Sequence, residues 1–361
     1  MIFKLALFNA NDCIKIMLKK RITIKDLARE LGYAPSTISR ALNNHPGISK
    51  KTKEEVQKAV KKLGYTQNSI ASNFRKNTML SIGIIVPRIG IHFHSLVISG
   101  IEEMAYMRKY NVTIFQSQDS LDREKEIAKI LQTKMVDGII VCLALETNNY
   151  DHFNQLKDNK VPVVFYDRVP ENYEASKIVI NDYQSAYKAT EHLISSGCKR
   201  IAHISGNPEV SIYKERLKGY KAALVKHNIP LDEKLIEYTK DLNYDEGVYS
   251  AKKFLNLEHK PDGIFCANDY TAVSTIQVFK KANYSIPGDI SVVGFSNYPI
   301  SRIIEPTLTT INDRAFEMGQ AAANLLIRQI EEKSEIISSE TVVLETELII
   351  RDSSKSFNSH K

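Results

Sequence analysis

Long apolar runs, paired cysteines and nucleotide-type glycine motifs are all missing from this 361-residue sequence, and each absence removes a class of function. No apolar stretch approaches the roughly 20 residues needed to cross a bilayer. The apolar opening Met1 to Phe8 is short and is followed by Asn9, Asn11 and Asp12 without a small-residue cleavage site, which makes a poor signal peptide. Four cysteines, Cys13, Cys142, Cys198 and Cys266, lie far apart with no Cys-x-x-Cys pairing. That argues against a disulfide framework and a structural zinc site, and it fits a reducing cytoplasm. There is no Gly-x-Gly-x-x-Gly, no phosphate-cradling loop with its lysine and no Gly-x-Ser-x-Gly elbow, so nothing supports an enzyme on an α/β fold. His92 and His94 alternate, but one His-x-His without a matching acidic or cysteine cluster is weak evidence for a metal site; neither metal nor cofactor is expected. The short polar C-terminus carries no apolar heptads that would add a tetramerising coil.

What the sequence does contain is a concentration of positive charge. The chain is 43% hydrophobic and 25% charged, an ordinary soluble balance, with a formal net charge of +7. Between Arg21 and Asn77 twelve Lys or Arg residues face four Asp or Glu, a net of +8; the first 20 residues add +3, which leaves −4 for everything after Asn77. Charge confined to one small module suits a polyanion-binding domain joined to a near-neutral body. A solvated lysine-rich face would give the same count, but it would not explain the pattern beside it. Ile24, Leu27, Ala28 and Leu31 repeat at helical spacing behind Thr23 as an N-cap, Gly32 can take the left-handed turn, and Ile38, Ala41 and Leu42 restart the period after Pro35. Two short helices joined at a glycine read as a helix-turn-helix. The second leaves Ser36, Thr37, Ser39, Arg40 and Asn43 outside its apolar stripe, a set that can reach base edges and phosphates; the plainer alternative is a helical hairpin with a polar face.

Further along, Ser49 caps a third helix that runs to about Leu63 and stops at Gly64, with Val56, Ala59, Val60 and Leu63 on one face. Residues 68–75 place Ile70, Ala71 and Phe74 on one side of a stretch too short to be a stable helix alone in water. From Ser81 apolar strands alternate with amphipathic helices: strands at 82–86, 112–116, 138–142, 163–166 and 177–180, with helices at 97–110, 123–134 and 151–159. A second series has strands at 200–205, 263–267 and 291–295 and helices at 184–195, 215–227, 246–255 and 272–282. Such alternation means parallel sheets covered by helices, here as two subdomains with a ligand cleft beyond the carboxyl ends of their strands. The expected divisions are an extension at 1–20, whose translation could instead start at Met17; a DNA-binding domain at 21–67; a linker at 68–77; a sensor at 78–351; and a disordered polar tail at 352–361.

Ten short motifs stand in a telling order: Thr-Ile-Lys-Asp-Leu-Ala (23–28), Ser-Thr-Ile-Ser-Arg-Ala-Leu-Asn (36–43), Ile-Ser-Lys-Lys-Thr (48–52), Leu-Gly-Tyr (63–65), Asn-Ser-Ile-Ala (68–71), Ser-Ile-Gly-Ile-Ile-Val-Pro (81–87), Arg-Leu-Lys-Gly-Tyr (216–220), Ala-Asn-Asp (267–269), Ile-Ser-Val-Val-Gly-Phe (290–295) and Pro-Thr-Leu-Thr-Thr (306–310). Residues 22 to about 351 thereby closely resemble the lac and galactose repressor (LacI/GalR) family of bacterial transcription regulators. The resemblance implies an N-terminal all-α helix-turn-helix DNA-binding domain. Behind it comes an α/β, periplasmic-binding-protein-like sensor of two doubly wound subdomains. It further implies a homodimer on a palindromic double-stranded DNA operator, a linker helix that folds on the DNA, and a small-molecule effector, a sugar or sugar derivative.

Carried onto this sequence, the resemblance points to Thr23, Ser39 and Tyr65 at phosphates, Ser36, Thr37 and Arg40 in the major groove, and Asn43 and Asn68 at the backbone. In the linker Ala71 accompanies Phe74, which stands where relatives usually have a minor-groove leucine wedge; an aromatic can also unstack a base step, or it can simply pack between two linker helices. At the effector cleft the resemblance suggests Phe93, His94, Asp167, Ile180, Arg216, Leu242, Asn268 and Ser296. Ser296 replaces an aspartate that many sugar-responsive relatives use to pair two ring hydroxyls, and Leu242 takes a place often held by a stacking aromatic. Asp269 and Asp289 read as capping or turn residues. A solute-binding protein for transport would share the two-subdomain body, but it would need an export signal and no basic helix-turn-helix.

Overall fold

The computed structural model describes residues 22–65, 79–133, 136–332 and 339–355, and the chain divides into two compact units between Thr78 and Met79. The N-terminal extension with Met17, the linker with Asn68, Ala71 and Phe74, and the end of the tail lie outside the described residues.

In the first unit α1 (Ile24–Leu31), α2 (Pro35–Leu42) and α3 (Lys50–Leu63) pack on one another. Thr23 and Asp26 form a reciprocal capping box: the Asp26 amide donates to the Thr23 hydroxyl at 3.4 Å, and the Thr23 amide donates to the Asp26 carboxylate at 2.9 Å. Gly32 at φ +70° lets the chain leave α1 in the left-handed conformation, which glycine adopts without a Cβ clash. Eight-residue helices are unstable alone, so burial holds these two. Leu27, Ile38 and Val56, one from each helix, are fully buried, and Ala28, Ala41, Ala59 and Tyr65 close the small core around them.

The second unit carries two series of strands and helices. The first is β1 (Ser81–Val86), α4 (His92–Met107), β2 (Asn111–Gln116), α5 (Leu121–Thr133), β3 (Gly138–Val141), α6 (Asn154–Asp158), β4 (Val163–Tyr166) and β5 (Ser176–Ile180). The second runs α7 (Asp182–Ser195), β6 (Ile201–Ser205), α8 (Ser211–Lys226), β7 (Ile236–Tyr238), α9 (Tyr244–Leu255), β8 (Gly263–Cys266), α10 (Asp269–Lys281), β9 (Ser291–Phe295), α11 (Ile300–Ile303) and β10 (Thr309–Asn312). The chain then crosses back through α12 (Ala315–Glu332) and β11 (Thr341–Leu344) before β12 (Glu347–Ile349) returns. The sheet orders are β11-β5-β4-β3-β1-β2 and β12-β10-β9-β8-β6-β7.

The first half is therefore not closed by the strand at 177–180. β11 adds beside β5 in parallel, and α12 packs on β3, β4 and β5. β12 pairs antiparallel with β10, so the second sheet is not wholly parallel. Gly100 of α4 and Gly319 of α12 let their helices approach closely, since a Cβ at either would lie 2.1 Å from a carbonyl oxygen of the other helix. Residues 352–355, expected within a disordered tail, are held against the second sheet. Ser353 and Ser354 are buried, and the Ser353 hydroxyl donates to the Val292 carbonyl at 2.6 Å and accepts from the Thr309 amide at 2.8 Å. Short polar residues here satisfy backbone groups at the starts of β9 and β10, which fixes residues 352–355 despite their composition.

Candidate functional site

On the first unit, α2 presents Ser36 and Arg40 to solvent with Thr37 half-buried beside them. Proline at the first position fits there because its missing N–H would have had no helical partner. Ser39, expected on the polar face, is 9% exposed and belongs to the buried side with Ile38. The Asn43 amide donates to the Ser39 carbonyl at 2.8 Å, so it also closes the C-terminus of α2. Thr23 is exposed, and its hydroxyl donates to the Asp26 carboxylate at 2.7 Å. The Tyr65 ring packs in the core. Lys25, Arg29, Arg40, Lys50, Lys51, Lys58, Lys61 and Lys62 are all exposed. Arg29–Asp26 at 3.5 Å and Lys62–Glu30 at 3.1 Å are solvent-exposed pairs, each worth at most about 1 kcal/mol.

In the second unit a cleft of about 80 Å³ opens at the carboxyl ends of the strands of both sheets. Arg88 follows β1, Asp167 and Arg168 follow β4, Asn268 follows β8, Ser296 follows β9 and Asp313 follows β10. The starts of α4 and α8 add Phe93, His94, Tyr213 and Arg216. Asp167 at φ +57° and Ser296 at φ +98° hold left-handed backbone, a conformation that costs non-glycine residues energy and gathers at functional sites.

Two arginines at this cleft, Arg216 and Arg168, are buried and paired with carboxylates. The Arg216 Nε donates to Asp182 at 2.7 Å and its Nη1 to the Ala267 carbonyl at 2.8 Å, while the guanidinium lies 3.6 Å from the centroid of the Phe295 ring. Arg168 donates to Asp119 at 2.6 Å, and Arg88 bonds the other oxygen of Asp119 at 2.8 Å. Arg88 also reaches Asp241 at 3.3 Å, a contact from the first subdomain to the second. His92 meets Tyr298 edge-on across the same divide, with centroids 5.5 Å apart.

Burial pushes the Asp313 carboxyl up to about 7, eased by a hydrogen bond from Ser296. It likewise lifts Asp182 to about 6 against the opposing pull of Arg216. His94 is 1% exposed, and burial with Arg168 nearby drives its pKa well below the usual imidazole range, so it is a neutral wall of the cleft. Its Nδ1 lies 3.4 Å from the Tyr166 hydroxyl.

Of the eight residues expected at the cleft, Phe93, His94, Asp167, Arg216, Asn268 and Ser296 come together. Ile180 does not: it ends β5 and packs in the core of the first sheet. Leu242 is also off the cavity, 3% exposed in the core of the second sheet; what it offers is a carbonyl that accepts from the Asn268 amide at 2.7 Å. Asp289 has the expected turn role, whereas Asp269 ties the start of α10 to two segments that follow much later in the chain. Asp269 accepts from the Tyr298 amide and the Thr310 hydroxyl, both at 2.6 Å, and Asp289 accepts from the Ser285 amide at 2.7 Å. Sequence reasoning missed Arg88, Asp119, Arg168, Tyr213, Asp241 and Asp313. Asp313 supplies, beside Ser296, a carboxylate of the kind that Ser296 lacks. Among the described residues no group of three or more His, Cys, Asp or Glu is arranged to hold a metal ion, and no helix is long and apolar enough to cross a membrane.

Comparison with known proteins places matches over both units. Residues 23–68 match the family described as bacterial regulatory proteins, lacI family, and residues 190–354 match the periplasmic binding protein-like domain. Catabolite control protein A of Priestia megaterium is 31% identical over 336 residues, covering 92% of this chain and 99% of that protein. The solved complex of the transcriptional regulator CelR with cellobiose is similar at a TM-score of 0.69 and 27% identity, covering 92% of this chain and all of that one. The lac repressor dimer bound to operator and the anti-inducer ONPF shares the fold at a TM-score of 0.82, with 23% identity over 93% of this chain and all of that one.

Proposed function

This chain belongs to the lacI family of bacterial regulatory proteins, and on that premise we propose that it is a repressor whose hold on operator DNA is set by a small polyhydroxylated effector in the cleft of the second unit. It works as a dimer, each first unit reading half of a palindromic site. Ser36, Thr37 and Arg40 read bases, and Thr23, Asn43 and the exposed lysines meet phosphates. Asn68 adds a contact to the DNA backbone, and Ala71 and Phe74 of the linker reach the minor groove, with Phe74 as the wedge. The chain acts in a reducing cytoplasm and carries no catalytic step.

The observation that carries the effector class is the pairing of buried charges. With Arg216 held by Asp182, and Arg168 held by Asp119, the cleft offers fixed forked donors and carboxylate acceptors without a large net charge. Hydroxyl groups, which donate and accept at once, satisfy such a lining; a doubly charged phosphate would meet Asp167 and Asp313. That CelR is solved with cellobiose supports the same class. An effector acts only through its differential affinity for the two arrangements of the subdomains, and the cross-cleft contact of Arg88 with Asp241 belongs to one of them.

The test is a thermal-shift screen of neutral sugars, sugar acids, phosphosugars and purines on the full chain, repeated with Asp313→Asn and Asn268→Ala. A neutral sugar that raises the melting temperature of the wild type, with a smaller shift in both variants, is expected. A phosphosugar or purine as the sole hit would overturn the effector class, and a sugar hit indifferent to both variants would move the site.

A further inference from the structure

We propose that the second unit holds another ligand site, apart from the effector cleft, and that it takes a free α-amino acid with an apolar side chain. The site is a cavity of about 410 Å³, within the range that small-molecule sites span. It is formed by the segments after β3 and β4, both of the first subdomain, and by the start of α8 in the second.

A donor in this cavity fits a carboxylate. Arg168 lines the cavity and is 7% exposed. Its Nη1 donates to Asp119 at 2.6 Å and to the Leu143 carbonyl at 3.3 Å. The opposite edge of the guanidinium, Nε with Nη2, is the edge that grips a carboxylate through two parallel N–H bonds, and among the described residues it makes no hydrogen bond. Nη1 is the nitrogen turned to Asp119, which lines the effector cleft and not this cavity; the free edge lies on the other side. A buried Nε N–H left unpaired is costly, and two oxygens against that edge relieve it. Val210 and Ser211, where α8 begins, line the same cavity. That helix starts without a side-chain cap and with no acidic residue in its first turn, so its first amides also favour an anion.

The rest of the lining rules out a plain anion. Glu146, Glu171 and Glu209 surround the same space, with Glu171 meeting Lys214 of α8 at 3.7 Å. A phosphate or a dicarboxylate would meet these three carboxylates, whereas an amine alone would leave the Arg168 edge empty. A ligand that carries one carboxylate and one ammonium answers both. Tyr150, Val169 and Val210 give the cavity apolar walls for its side chain. Because both subdomains contribute to the lining, an occupant joins them and biases the same closure as the effector, from a site of its own.

Calorimetric titration of the full chain with L-leucine, L-methionine, L-phenylalanine and L-tyrosine tests this. At least one should bind. Its analogues lacking the amino group or the carboxylate, 3-phenylpropanoate and phenethylamine in the case of L-phenylalanine, should bind about tenfold or more weakly. Val210→Trp, which fills the cavity, should abolish the binding; Glu209→Gln, at an exposed position, should weaken it about threefold if Val210→Trp does not fold. Asp313→Asn, in the effector cleft and outside this cavity, should leave the amino-acid affinity within about twofold. No binding by any of the four overturns the proposal. A singly charged analogue that binds as tightly as the amino acid overturns the ligand class. Affinity unchanged in a folded Val210→Trp or Glu209→Gln, or lost in Asp313→Asn, overturns the placement. The sugar class of the cleft effector stands or falls separately, by its own screen.

Discussion

The two units treat charge in opposite ways. In the first, lysines and arginines stand in solvent and lean on few partners, as Arg40 and Lys58 do. In the second unit's cleft two of the three arginines are sunk against carboxylates, Arg216 with Asp182 and Arg168 with Asp119. Exposed charge acts over a distance and is read by any polyanion, whereas buried charge acts only on what fits against it. One chain thus carries a part that finds DNA by its field and a part that recognises a small molecule by its shape.

The contrast breaks most visibly at Arg216. Its removal strands the Asp182 carboxylate in a buried site, and Arg216→Ala should cost about 3–5 kcal/mol in urea denaturation. The apolar pair Arg216→Met with Asp182→Leu should recover most of that. A loss below about 1 kcal/mol would mean that the pair is solvated after all.

The next effect in size follows pH. Asp313 titrates near 7 when folded, against about 4 in an unfolded chain. Across that window the folded state holds a proton that the unfolded state has released, so stability falls as pH rises from about 4 to about 7 and levels off above. Melting wild type and Asp313→Asn at several pH values should show the wild type losing up to about 4 kcal/mol relative to the variant across the window. Parallel curves would assign the slope to other groups.

Arg40 tests the opposite pole. Because it is exposed, Arg40→Ala should leave the melting temperature unchanged and yet cost about 1–3 kcal/mol of discrimination between a duplex selected from a random pool and an unselected one. Equal discrimination would remove Arg40 from the base-reading set. The smallest effect belongs to Thr23→Ala, which opens the capping box and should destabilise the first unit by about 1 kcal/mol, read from hydrogen exchange in α1.

Legibility followed the same divide. In the first unit each helix announces itself locally, through Thr23, Gly32, Pro35, Ser49 and Gly64, so its elements were readable almost residue by residue. What periodicity misjudged was Ser39, a hydroxyl on the buried side of a helix that is only two turns long. In the second unit the strong strands of the two sheet centres were readable because they are buried on both faces and, after an opening serine, apolar. The edges were not. β7 and β12 have three residues each and β11 alternates between exposed and half-buried, so none makes an apolar run.

The inner strand β10 also went unread, and that had a cost at the site. Ligands sit beyond the carboxyl ends of strands, and without β10 on the map nothing drew attention to Asp313. Arg88 and Asp119 went unseen for a different reason: Arg88 reaches across to Asp241 of the other subdomain, and Asp119 joins Arg88 to Arg168, residues far apart in the chain, and no local pattern carries either contact. Ile180 and Leu242 were placed by analogy, and their apolar side chains went to the cores instead.

The division of labour between exposed and buried charge is tested most directly by the salt dependence of duplex binding, followed by fluorescence anisotropy on the full chain. Several phosphate contacts from the first unit predict a loss of affinity of about a thousandfold or more between about 50 and 200 mM salt, with the same slope in Asp313→Asn. A flat response, or a slope that changes with Asp313 in the cleft, would contradict the account.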